Sequence, residues 1–209
     1  MTRSVSFRLL FVGSRALVSE ERYLAVAGAA LRGGADAFLL REKDLAGRAL
    51  LSLARGARRV ATGTNALLIV SDRLDVALAS GADGAQLPER SFTPKEARAL
   101  LGEERLIGRS VHDLSGALRA EKDGADFVLI GPVYPTPGKE RALGPAGAAA
   151  IRASLSIPAV AIGGIDAERA REVLAAGFDR IAVVRAIASA RDPEAAARTL
   201  RARLEAKGR

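Results

Sequence analysis

Eight short apolar runs, separated by longer helix-like stretches, predict a (β/α)8 TIM barrel, an α/β fold in one compact domain over residues 1–209. Most runs are continuous rather than alternating, as parallel strands buried on both faces require. A Gly-x-Asp mark recurs at Gly34, Gly81, Gly124 and Gly177, just before runs two, four, six and eight. A mark at every second βα unit suits a closed, pseudo-symmetric barrel better than an open doubly wound sheet, the main alternative.

The elements follow in order. Residues 8–12 form the first strand and 20–32 the helix after it. Strand two is 37–41 with helix 46–61, and strand three is 67–70 with helix 73–80. Strand four, 84–87, leads through Thr93, an expected N-cap, and Pro94, suited to a first helical position, into helix 94–101. Strands five and six are 106–110 and 127–130, followed by helices 114–122 and 146–153. Strand seven, 159–162, precedes Asp166, a second expected N-cap, and helix 167–175. Strand eight, 180–183, opens a further helical segment. Each glycine of the mark suits the left-handed position after a helix. Such barrels typically take about 250 residues, so the connections here must be short.

Hydrophobic residues make up 49% of the chain and charged residues 27%, ordinary for a globular protein. No apolar run approaches the roughly 20 residues of a membrane span, and residues 1–7 carry no signal-peptide pattern. There is no cysteine, hence no disulfide framework and no thiolate metal site. A cytoplasmic protein without a membrane role is expected. The net charge of +8 points to anionic partners. Aromatics are only 4% and the cations are interspersed with acids, so phosphorylated metabolites fit better than nucleic acid. Arg198, Arg201, Arg203, Lys207 and Arg209 read as a solvated helix face. Asn65, Gln86 and Met1 are the sole residues of their types, which suits either a hot-growing source or GC-rich codon usage.

In a barrel of this kind, function gathers at the C-terminal ends of the strands. His112, the one histidine, follows strand five and is the first candidate to move a proton at neutral pH. A histidine that merely packs at a strand end is the plainer reading. Arg41 and Lys43 share a face if strand two continues through them, and two such cations hold a phosphate or carboxylate. Their alternative is surface pairing with Glu42 and Asp44. Asp72, after strand three, is expected to cap the next helix; as a lone carboxylate it makes a weak Mg2+ site. The Pro- and Gly-rich segment from Gly131 to Arg141 reads as a shaped loop carrying Thr136 and Lys139 over the mouth. Gly163 and Gly164 bare the backbone at the end of strand seven, and Val184 and Arg185 open a helix after strand eight. Loops seven and eight are where such barrels often bind phosphate.

Several of these segments resemble the thiamine-phosphate synthase and TenI family. They are Leu40-Arg41-Glu42-Lys43, Gly81-Ala82-Asp83-Gly84, Gly131-Pro132-Val133-Tyr134-Pro135-Thr136 with Lys139, and Ala161-Ile162-Gly163-Gly164-Ile165. The resemblance runs from about Phe7 to the C-terminal helix. It implies a (β/α)8 barrel of thiamine biosynthesis that takes a phosphorylated thiazole and, at the family level, forms a homodimer. The synthase pattern, which uses Mg2+, has Gln-x-Arg-x-Lys after strand two, where this chain has Leu39. It has Asn-Asp after strand three, here Ser71-Asp72, and His-Leu-Gly-Gln-x-Asp after strand four, here Gln86 to Ser91. Ser91 thus stands where the second Mg2+ carboxylate belongs. Gly138 replaces a hydroxyl residue, and Arg185 a serine. The stretches Gln86-Leu87-Pro88 and Ile107-Gly108-Arg109-Ser110-Val111-His112 are similar to TenI, whose thiazole tautomerase aromatises a thiazole carboxylate phosphate without a metal.

The resemblance therefore implies a TenI-like tautomerase with no cofactor. His112 is its acid/base; Gly163, Gly164, Val184 and Arg185 hold the phosphate. Arg41, Lys43 and Lys139 face the carboxylate, while Ser110 and Thr136 orient polar groups. The alternatives are a synthase joining aminopyrimidine pyrophosphate to thiazole phosphate, with Mg2+ at Asp72, and a non-catalytic regulatory or binding barrel.

Overall fold

The computed structural model describes residues 4–206. Eight parallel strands close in sequence order: β1 (Leu9–Val12), β2 (Ala37–Leu40), β3 (Leu67–Ser71), β4 (Gly84–Leu87), β5 (Leu106–Val111), β6 (Phe127–Ile130), β7 (Ala159–Ile162) and β8 (Ile181–Val183). Around them lie α1 (Glu20–Arg32), α2 (Gly47–Thr62), α3 (Leu74–Ser80), α4 (Pro94–Leu101), α5 (Leu114–Lys122), α6 (Gly144–Ala153), α7 (Arg169–Ala175), the short α8 (Arg185–Ala188) and α9 (Pro193–Ala206). No helix among the described residues is long and apolar enough to cross a membrane.

Alternation along the strands divides the core in two. Inward-facing Leu10, Val12, Ala37, Leu39, Ile69, Phe127, Leu129, Val160 and Ala182 fill the barrel. Phe7 closes its floor, edge-on to Phe127 at 5.2 Å between ring centres. Outward-facing residues such as Phe11, Phe38, Leu68 and Ile107 pack beneath the helices.

The Gly-x-Asp mark is a lock at the N-terminal end of the barrel. Its glycines all take positive φ, from +67° at Gly81 to +108° at Gly177. The turn then aims the aspartate back at the preceding strand. Asp36 Oδ2 accepts from the amides of Arg8 (2.8 Å) and Leu9 (2.9 Å), Asp83 Oδ2 from Leu68 (2.7 Å) and Asp126 Oδ2 from Ile107 (2.7 Å). Each also binds an arginine from the helix before that strand: Arg201 of α9 (2.7 Å), Arg58 of α2 (2.5 Å) and Arg98 of α4 (2.7 Å). The fourth copy departs from the pattern, because Asp179 pairs with its own neighbour Arg180. Arg201 is thus a half-buried lock residue, not part of a solvated face; Lys207 and Arg209 lie outside the described residues.

Some boundaries differ from the sequence expectations for local reasons. β2 stops at Leu40, so Arg41 and Lys43 lie in a loop rather than on a strand face. Thr93 forms a full capping box with Glu96. Asp166 Oδ1 accepts from the amides of Glu168 and Arg169 at 3.0 and 2.9 Å, capping the turn before α7, which therefore begins at Arg169. Asp72 does not cap α3 with its side chain. Its backbone is left-handed (φ +67°), Arg73 takes the N-cap position, and the carboxylate is directed elsewhere.

Candidate active site

The strand ends carrying the residues singled out above all open on the C-terminal mouth. β2 delivers Arg41 and Lys43, β3 Asp72, β5 Ser110 and His112, the β6 loop Thr136 and Lys139, β7 Gly163 and Gly164, and β8 Val184 and Arg185. Two surface depressions of about 610 and 240 Å³ lie at the opposite end, beneath the starts of β3–β5 and of β7–β8. They flank the lock residue Asp83 and its unlocked counterpart Asp179 and do not connect the strand ends that bear chemistry.

The top inward layer of the barrel is the floor of the mouth. Val12, Leu39, Ile162 and Val184 make one side apolar. Gln86 and Ser110, on neighbouring strands, make the other polar: Gln86 Nε2 donates to Ser110 Oγ at 3.1 Å. Gln86 is only 3% exposed. Its room comes from Gly108, where a Cβ would stand 2.1 Å from Gln86 Oε1 and 2.3 Å from the Phe127 ring.

His112 lies one residue past β5, with Nδ1 hydrogen-bonded to the carbonyl of Gly131 at the end of β6. A carbonyl only accepts, so Nδ1 carries the proton and Nε2 of the neutral ring is a free acceptor. Nε2 faces Glu89, whose Oε2 is 3.9 Å away. The ring therefore presents Nε2 to the mouth beside a carboxylate. Sequence reading missed Glu89. The signal was topological, since Glu89 and His112 sit just past the ends of adjacent strands.

Asp72 Oδ1 accepts a hydrogen bond from Ser91 Oγ. This places a carboxylate and a hydroxyl side by side at the β3–β4 edge. Among the described residues no group of three or more His, Cys, Asp or Glu side chains could hold a metal ion. An all-oxygen pair with a single carboxylate suits Mg2+ only when substrate phosphates complete its shell.

Four cations at the mouth have no acidic partner among the described residues. Arg15, after β1, collects the nearby acids: its amide bonds Glu42 Oε1 at 3.0 Å, and its guanidinium lies 3.6 Å from Asp44 and 3.9 Å from Glu20. Arg41 and Lys43 are thus left exposed, without an ion pair among the described residues, and the surface pairing considered above does not form. Lys139 and Arg185 are likewise exposed and unpaired among those residues. The cations of the three locks are all paired.

The β6 loop is pinned at its base and projects at its tip. The amides of Val133 and Tyr134 donate to Ile162 O (2.9 Å) and Gly163 O (3.0 Å). Tyr134 OH donates to Glu172 Oε2 at 2.7 Å, and burial, then that hydrogen bond, pushes its phenol up to about 12. Arg169 lies over the Tyr134 ring at 4.8 Å and donates to Gly164 O at 2.9 Å. Thr136 and Lys139 close a small antiparallel bridge at the tip. Gly163 and Gly164 have φ of +107° and +65°, and Pro132 and Tyr134 occupy the space where their side chains would stand. Across β8, Arg185 and Ala186 begin α8, where first-turn amides have no helical carbonyl to bind.

Comparison with known proteins gives a consistent result. Residues 9–187 match a family model described as thiamine monophosphate synthase (TMP-TENI). The chain is 44% identical over 208 residues to a putative thiamine-phosphate synthase of Geobacter sulfurreducens, covering 98% of each. It is 47% identical over 180 residues to the thiamine-phosphate synthase of Methanoculleus marisnigri, covering 85% of each. Among solved structures, thiamine phosphate pyrophosphorylase from Pyrococcus furiosus aligns with a TM-score of 0.89 at 38% identity, covering 96% of both chains. Two of these relatives carry the synthase name, the third that of a pyrophosphorylase, and none that of a tautomerase, so they support the synthase alternative over the tautomerase branch expected from the sequence.

Proposed function

The chain belongs to the thiamine monophosphate synthase family of thiamine biosynthesis, and from that premise we propose that it joins an aminopyrimidine pyrophosphate to a thiazole phosphate. The thiazole nitrogen lone pair forms the new C–N bond, the C–O bond to diphosphate breaks, and diphosphate leaves. The observation that carries the reading is Asp72. Its carboxylate is freed from helix capping, paired with Ser91 and set at a mouth of unpaired cations. Asp72 and Ser91 would hold Mg2+, which when bound neutralises charge on the departing diphosphate. Arg41, Lys43 and Lys139 bind the diphosphate oxygens, because exposed unpaired cations are already disposed toward an anion. Gly163, Gly164, Val184 and Arg185 hold the thiazole phosphate with backbone amides and one guanidinium. Ser110 and Thr136 orient polar groups of the rings. His112 Nε2 accepts from an amino group of the pyrimidine.

The test is thiamine phosphate and diphosphate formation from the two substrates, with and without Mg2+. Product that disappears with chelator, and falls at least about 10²-fold in Asp72→Ala, is expected. No product with Mg2+ present removes the reading.

A second reading is favoured by His112 and Leu39 together. A neutral imidazole with a free Nε2 suits a proton shift, and a buried leucine offers the pyrimidine no hydrogen bond. This is the thiazole tautomerase, for which His112 relocates the proton without a metal. It predicts isomerisation lost by about 10²-fold in His112→Ala. Phosphate-ligand binding with neither activity would leave a regulatory barrel.

A further inference from the structure

Arg109 belongs to a stretch singled out in the sequence, yet neither reading uses it. It lies on β5 between inward-facing Gly108 and Ser110, so its side chain leaves the barrel on the outer side. There it runs under the loop between β4 and α4. Its Nη1 donates to the carbonyl of Phe92 at 2.6 Å and its Nη2 to that of Glu89 at 2.5 Å. It forms no ion pair among the described residues, although the Glu89 and Asp123 carboxylates act on it electrostatically; its direct contacts are the two carbonyls. The two carbonyls bracket Ser91. That loop provides Ser91 to Asp72 and Glu89 to His112, two contacts on different strand ends.

We propose that Arg109 is a positioning residue whose guanidinium fork sets this loop so that the Asp72–Ser91 edge and the Glu89–His112 edge are assembled together. A planar fork can hold two carbonyls at a fixed spacing; a lysine ammonium cannot. The metal arm of this inference rests on the synthase reading, in which Asp72 and Ser91 hold Mg2+. The histidine arm does not.

The experiment uses the full chain and the variants Arg109→Lys, Arg109→Met and Asp72→Ala. Mn2+ binding in the presence of pyrophosphate is read from the free Mn2+ signal in electron paramagnetic resonance. The imidazole of His112, the sole histidine, is read by NMR in metal-free protein. Both Arg109 variants are expected to weaken Mn2+ binding about tenfold, as loss of a supporting contact does, and to displace the His112 resonances. Asp72→Ala is expected to abolish binding while leaving those resonances in place. Wild-type behaviour of Arg109→Lys on both readouts overturns the proposal. If Arg109→Met does not fold, Arg109→Lys, which keeps charge and length, decides alone. If Asp72→Ala binds Mn2+ as wild type does, the metal reading fails. The proposal is then supported by displaced His112 resonances in Arg109→Lys and overturned by unmoved ones.

Discussion

Gly163 couples the phosphate turn to the β6 loop through a shape that only glycine allows. At φ +107°, a Cβ would be strained and would lie 2.7 Å from Pro132 Cα, a backbone atom that cannot yield. Gly163→Ala should raise the KM for the phosphorylated thiazole at least about tenfold, with a smaller change in kcat, since the fault is in placement. Steady-state kinetics on each substrate separately checks this. Gly108→Ala should act differently, by expelling Gln86 from beside Ser110 and destabilising the fold by about 1–3 kcal/mol. At this scale the sequence was informative where chemistry is rare. One histidine and a Gly-Gly pair are conspicuous anywhere. Asp72 misled because an aspartate before a helix usually caps it, and nothing in the residue types announces its left-handed backbone. Glu89 was silent for a related reason: its meaning comes from a neighbour 23 residues away, across two strand ends (His112).

The elements were legible because parallel buried strands read as apolar runs and because caps are local. All eight strands kept or changed by one residue the bounds their runs suggested, and the capping box at Thr93 formed as its spacing required. Thr93→Ala should cost about 0.5–2 kcal/mol by thermal unfolding. The hydrogen bond from the Thr93 amide, with that from its side chain, holds the Glu96 carboxyl below its ordinary value. Asp75 is likewise lowered, chiefly by its bond to Arg73. A lowered carboxylate stabilises the folded chain above its unfolded pKa, and that contribution is lost as pH falls through the folded value. Melting temperature should therefore decline below roughly pH 5, less steeply in Glu96→Gln. The recurring mark was visible as punctuation, but its aspartates were not recognised as locks, because an amide acceptor on another strand has no local signature. Asp126→Ala should destabilise by about 3 kcal/mol, as it strips the Ile107 amide and leaves Arg98 without its buried counter-charge.

Across the whole molecule the two barrel ends treat charge differently. At the N-terminal end Arg58, Arg98 and Arg201 pair with lock aspartates, while Arg41, Lys43, Lys139 and Arg185 at the mouth have no counter-charge among the described residues. Salt screens exposed charge much more than partly buried pairs. Raising ionic strength from about 0.05 to 0.5 M should therefore raise the KM for phosphorylated substrates several-fold while moving the melting temperature little. The net charge of +8 was plain from composition; that Arg41 and Lys43 stand unpaired follows from Arg15 having drawn off the neighbouring acids.

The fourth lock is incomplete. Asp179 keeps to Arg180, Arg152 of α6 finds no ion pair among the described residues, and a depression of about 240 Å³ remains between them. The quarter built from β7 and β8 therefore lacks the strap that fastens the other three at their base. Its far end carries Gly163, Gly164, Val184 and Arg185. Segments with fewer fastening contacts open at lower free energy. Amide exchange should begin at residues 159–162 and 181–183 before it reaches β1–β6, and added inorganic phosphate should slow it there first. Exchange in that order would mean that slack at the foot of two strands becomes give at the rim, where an anion must enter and leave.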